Sequence, residues 1–138
     1  MHDGLKRILE RNGLTMHYLE MDVIAFYYPK AKAVFINQSL EGSNDASFKL
    51  AHELGHFIAE HERFKELYSI NIFRAKMEHE ANVIAISMLL SIYIEELSDI
   101  EQFNLDRFMR YYKISSTLES VCEAQCRIYF EENIACFG

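Results

Sequence analysis

Two histidines four residues apart, His52 and His56, with Glu53 directly after the first, form an H-E-x-x-H inside the run LAHELGHFIAEH (residues 50–61). On a helix, residues i and i+4 share a face, so the two imidazoles can aim one nitrogen each at a single point. Glu53 lies about 100° further round, where it can reach the open side of a metal without being a ligand. A zinc ion held this way lowers the pKa of its bound water toward about 7, and a nearby carboxylate can take the proton. The same residues would also make an ordinary amphipathic helix that carries two histidines. The surroundings must decide.

A catalytic zinc needs three protein ligands and an open position. Downstream, in EHEAN (residues 78–82), Glu78 and Asn82 are again four apart, beside the small Ala81 and Ala85. A carboxylate with an amide one turn later can supply a third ligand and a partner for a histidine N–H. Taken on its helix alone, Glu78 reads better as a solvated charge. Gly55, inside the motif, costs a helix interior roughly 0.5–1 kcal/mol, which points to close approach of another element. His61, His79, Tyr27, Tyr28 and Tyr68 are candidates to donate to an oxyanion or to contact substrate, and spacing does not choose among them. For His61 and His79 an exposed helix position is the plainer reading; His2 and His17 read as surface residues.

The elements that must position these groups follow from periodicity. Leu5, Ile8 and Leu9, then Asn12 and Gly13, fit a short amphipathic helix with a glycine cap. Residues 23–28 and 33–36 are β-branched and aromatic on either side of the only proline, Pro29, a hairpin signature, with a third strand near 17–21. Ser43, Asn44 or Asp45 can N-cap a helix that runs to about residue 62, with Leu50, Ala51, Leu54 and Ile58 on its apolar stripe. A second helix is expected over about 74–90, and others near 92–97, 105–112 and 117–131. The order gives an α+β fold, a small antiparallel β-sheet packed on the H-E-x-x-H helix and a second ligand-bearing helix, with C-terminal helices, over residues 1–138 as a single domain.

Composition narrows the partners. The 138 residues are 50% hydrophobic and 25% charged, a globular balance. With 14 basic against 21 acidic residues the net charge is −7, and no Lys/Arg cluster is present, so direct nucleic-acid binding is not expected. The segment 111–126 has a faint helix-turn-helix outline but too few basic residues to be read as one. The N-terminus has no signal-peptide pattern, and the most apolar stretch, 83–94, is too short to span a bilayer. Cys122, Cys126 and Cys136 are an odd number without C-x-x-C spacing, as expected of free thiols in a reducing cytoplasm. Tyr111, Tyr112, Tyr129, Phe130 and Phe137 read as core or partner surface.

Three segments together, FIN (35–37), FKLAHELGH (48–56) and EHEAN (78–82) with the alanines and leucines after it, resemble the ImmA/IrrE family of zinc metallopeptidases. The resemblance covers roughly residues 10–95, and 103–130 are similar to the family's C-terminal helices. It implies a zincin-like fold and one Zn2+ per chain held by His52, His56 and Glu78, a gluzincin-like set, with Glu53 as catalytic base. One departure is visible: where the second helix of the family usually runs into Leu-Leu-Met-Pro, Leu89 and Leu90 continue into Ser91 and Ile92. The helix-turn-helix modules that some members append have no room here. Family members often serve prophages and integrative elements. The implied function is therefore a zinc-dependent endopeptidase, a cytoplasmic hydrolase and anti-repressor that cleaves the element's helix-turn-helix repressor. An extended substrate would add along residues 34–37 as an edge strand. The alternative is a non-catalytic, zinc-stabilised interaction module that derepresses, or acts toxin-like, by binding a partner protein. Neither reading calls for a membrane.

Overall fold

Gly13, at φ +68°, turns the chain out of α1 (Asp3–Arg11) and lets the Leu14 N–H reach back to the Leu9 carbonyl at 2.9 Å. Leu5, Leu9 and Leu14 are thereby buried together, as the spacing of the first helix requires. The computed structural model describes residues 3–137, with side chains through residue 132. His2 and the side chains of Cys136 and Phe137 lie outside the described residues.

Three strands follow, β1 (Thr15–Leu19), β2 (Ala25–Tyr28) and β3 (Ala33–Asn37). Pro29 opens a single 3-10 turn and Lys32 closes it at φ +50°, so β2 and β3 pair antiparallel as the hairpin signature predicts. The sheet as a whole is mixed, however, not antiparallel. Its order is β1-β3-β2, and β1 runs parallel to β3 with Thr15 opposite Ala33. Asn37 explains the route. Its amide donates to the Met21 carbonyl at 2.7 Å and to the Val23 carbonyl at 3.0 Å, which holds residues 20–24 across the end of β3. The chain thus reaches β2 on the far side, and the last strand inserts between the first two. β3 is therefore central and cannot be the edge expected for residues 34–37; both of its hydrogen-bonding sides are occupied.

Ser43 caps α2 (Asn44–Ile58), its hydroxyl accepting the Asp45 N–H at 3.1 Å. The helix ends four residues before the expected position, because Glu60 takes φ +58° and sends residues 61–69 off as a separate 3-10 segment. From there α3 (Asn71–Glu95) runs unbroken. The separate helix expected at 92–97 does not exist: no proline or glycine lies within residues 90–97, and Ile92 and Ile94 are buried on the same continuous helix. α4 (Leu105–Tyr111) and α5 (Glu119–Phe137) close the far side of α3. There Tyr93 packs edge to face against Phe103, Phe108 and Tyr112, with Phe108 and Tyr112 fully buried, which settles part of the C-terminal aromatic set as core. Cys122 and Cys126 are free thiols, and burial pushes Cys122 up to about 12. Among the described residues, no helix is long and apolar enough to cross a membrane.

The helices α2 and α3 meet at Gly55. A Cβ there would sit 2.5 Å from the Ala81 carbonyl oxygen and 2.9 Å from the Ala81 Cα. This crossing falls between His52 and His56 on one helix and between Glu78 and Asn82 on the other, so the contact that only glycine permits also brings the two candidate ligand pairs face to face. Gly55→Ala is expected to destabilise the fold by about 1–2 kcal/mol, the overpacking cost less the gain in helix propensity. The opposing atoms are backbone, so relief requires α3 to move. Thermal unfolding should show a midpoint lower by several degrees, together with weaker metal uptake. An unchanged midpoint would show that the crossing yields freely.

Candidate metal centre

Both motif histidines face α3. His52 and His56 are 17% and 16% exposed, with ring centroids 4.7 Å apart and planes near perpendicular. Their Nε2 atoms approach to 3.2 Å. Glu78 meets both: its Oε2 lies 2.7 Å from His52 Nε2 and its Oε1 3.1 Å from His56 Nε2. These three residues form a group whose ligand atoms all lie within 4.8 Å of one another, the arrangement that could hold a metal ion.

The hydrogen bonds behind the rings show what that point demands. The Asn82 amide oxygen lies 2.8 Å from His52 Nδ1. An oxygen accepts only, so Nδ1 carries the proton and donates, and the neutral ring has a lone pair at Nε2. That lone pair faces a carboxylate oxygen at hydrogen-bond distance and a second imidazole nitrogen beyond it. Acceptors converging in this way require a positive centre among them, a proton or a metal ion. Two imidazoles and one carboxylate are the donor set that zinc takes in catalytic sites, so the residues present fit the metal that the resemblance implies.

Electrostatics follow the same arrangement. Glu78 is held well below the usual carboxylate range by its hydrogen bonds with His52 and His56, and also by that from Tyr68, against an opposing effect of burial. For His52, burial pulls downward, but the hydrogen bond to Glu78 and the charges of Glu78 and Glu53 outweigh it, and the net shift is upward. Among the described residues, Glu53 forms no side-chain hydrogen bond with His52, His56 or Glu78. It lines the adjacent cleft, and burial raises it above the usual carboxylate range even though His52 and His56 pull it down. Its ionisation is costly where that of Glu78 is favoured, the property expected of a base rather than a ligand.

The cleft has a volume of about 520 Å³ and runs between β2 and the 3-10 segment, with Ala25, Phe26 and Tyr27 on one wall and His61, Arg63 and Tyr68 on the other. The five oxyanion candidates separate. Tyr68 donates its hydroxyl to Glu78 Oε1, at the ligand group itself, and is pushed up to about 12 by burial and by that carboxylate. Tyr27 lines the cleft and packs edge-on against Phe57 at 5.5 Å. Tyr28 and His79 are exposed and outside the lining. His61 departs from the exposed helix position expected for it: it is 7% exposed, with its Nδ1 2.8 Å from His56 Nδ1 and its Nε2 3.0 Å from Glu80 Oε2. Both ring nitrogens are thus occupied. Sequence spacing placed it on a continuing helix, and only the turn at Glu60 brings it back against His56. Glu80 was likewise visible only as a neighbour of the candidate ligand Glu78.

An H-E-x-x-H helix crossed by a glutamate-bearing helix, beside a small sheet whose edge strand borders the cleft, defines a zincin-like metallopeptidase-type domain. The family model of peptidase M78, the IrrE N-terminal-like domain, matches residues 10–121, and the chain belongs to that family. Neither the curated proteins nor the solved structures contain a match to it. Membership carries the expected ImmA/IrrE likeness past the motif helices into α5, and a peptidase family implies a protein substrate.

Proposed function

We propose that the chain is a zinc-dependent endopeptidase with His52, His56 and Glu78 as metal ligands, Asn82 as the residue that orients His52, and Glu53 as general base. The observation that carries this reading is the convergence of three lone-pair atoms beside a half-buried carboxylate that is not one of them. Zinc held there would acidify a bound water and polarise the scissile carbonyl. Glu53 then takes the proton from the attacking water and returns it to the amide nitrogen as the peptide C–N bond breaks. Tyr68 is the strongest donor candidate for the developing oxyanion, since its hydroxyl already reaches the ligand group. Substrate would add as a strand along the outer side of β2, not along β3: β2 has a neighbour on one side only, and its residues line the cleft.

The substrate proposed is a helix-turn-helix repressor of the prophage or integrative element to which such a protease belongs, which sets the reaction in the cytoplasm. The net charge of −7 suits a basic DNA-binding partner. The test is incubation of zinc-loaded and chelator-stripped protein with the repressor encoded beside it, with fragments followed by mass spectrometry. Discrete fragments from the loaded protein alone support the reading. An intact repressor that is nevertheless bound and removed from its operator would favour the interaction-module alternative.

A further inference from the structure

We infer that His61 and Glu80 are a positioning pair for His56, fixing which of its ring nitrogens meets the metal; this rests on His56 being a ligand. The spacing of α3 already supplies such a partner for His52 in Asn82, but nothing on α3 reaches the back of His56. The 3-10 segment does. Once His56 Nε2 offers its lone pair to a metal, the proton of the neutral ring is on Nδ1. That N–H donates to His61 Nδ1 at 2.8 Å, so the His61 proton is on Nε2 and donates to Glu80 Oε2 at 3.0 Å. Every ring nitrogen then has a partner of the right kind. If His56 carried its proton on Nε2 instead, the ligand position would be lost.

The pair also has a structural consequence for the cleft. His61 is the first residue after the left-handed Glu60, and it opens the segment that forms one wall. Tyr68, near the other end of that segment, is bonded to Glu78. The wall is thus fastened at both ends to candidate ligands, through the back of His56 and through the carboxylate of Glu78. A ligand imidazole normally gives its second N–H to a carboxylate or carbonyl, and loss of that partner typically weakens metal binding by about 10–100-fold. Here a second imidazole is interposed, and it reaches the carboxylate of a different helix.

The test uses metal affinity and the visible spectrum of the cobalt-substituted protein, neither of which requires a substrate. Glu80→Ala and His61→Ala should each weaken zinc binding by roughly 10–100-fold in chelator competition and alter the cobalt bands. Glu80→Gln keeps an acceptor for His61 and should recover most of the affinity. The Glu80 side chain is 45% exposed, so its truncation leaves the core intact and remains informative even if His61→Ala fails to fold. Wild-type affinity and spectrum in Glu80→Ala would overturn the inference, as would a Glu80→Gln protein as weak as Glu80→Ala. Wild-type affinity in His56→Ala is a different result, which removes the metal-site reading itself.

Discussion

Glu53→Gln is expected to retain metal, fold and target binding while cleavage falls by at least ~10²–10⁴, the usual loss for a general base. The substitution keeps the size of the side chain and its place in the cleft, and removes only the group that takes a proton. None of the proposed ligands is touched, because His52, His56 and Glu78 converge without it. Fragments from the wild type and none from Glu53→Gln, with derepression in cells lost as well, would support catalysis. If Glu53→Gln derepresses as well as wild type, proteolysis is not the function, and the metal group is a staple for a binding surface.

The same variant has a second readout in the metal-free protein. Burial raises Glu53 in the folded state, so over the window between its ordinary pKa, about 4.3, and the raised one the folded state binds more protons than the unfolded. Stability is therefore present below that ordinary value and lost as pH rises through the raised one. Gln does not titrate. Metal-free Glu53→Gln should accordingly be more stable than wild type at neutral pH, with the advantage shrinking on acidification. Thermal unfolding at pH 4 and pH 7 measures it, and a wild type no less stable than the variant at neutral pH would contradict the burial cost assigned to Glu53.

The legible part of the centre was the part set by helical spacing. His52 and His56 share a face because they are four apart, Glu78 and Asn82 for the same reason, and Gly55 announced a close approach because glycine is costly in a helix without one. What escaped is non-local or breaks a local rule. Nothing within residues 15–19 says that β1 will lie beside β3; the Asn37 bonds that carry the chain across are made between segments 14 and 16 residues apart. A glutamate in the left-handed region is uncommon, so Glu60 gives no warning that α2 has ended. His61 therefore seemed to point away from His56 when in fact it returns against it. Conversely, Ser91 invited a helix break, but Ile92 and Ile94 are buried on the same continuous helix. The absence of the proline usual in the family at this point was the better signal.

Glu78→Ala is expected to lose the metal altogether. Two imidazoles remain, one short of the three protein ligands of a catalytic zinc site, and the Tyr68 hydroxyl that now donates to Glu78 has no acceptor there. Metal analysis should find about one zinc per wild-type chain and none retained by the variant after dialysis. Stability gives an independent measure, because a metal bound only by the folded state stabilises it by mass action, about 2.7 kcal/mol at a hundredfold excess over Kd. Added zinc should therefore raise the wild-type midpoint by several degrees and leave Glu78→Ala unmoved. The metal-free proteins should differ in acid as well. Glu78 is held below its ordinary range by the folded state, so it contributes stability above that range that is lost as pH falls, and the variant has no such contribution to lose. The decisive comparison is with Glu80, two residues on, whose carboxylate lies behind His61 instead of at the ligand group. Glu80→Ala should bind zinc weakly but measurably. If it is Glu80→Ala that loses zinc while Glu78→Ala keeps one ion per chain, the third ligand is Glu80, and α3 must be rotated in the metal-bound protein relative to the arrangement described.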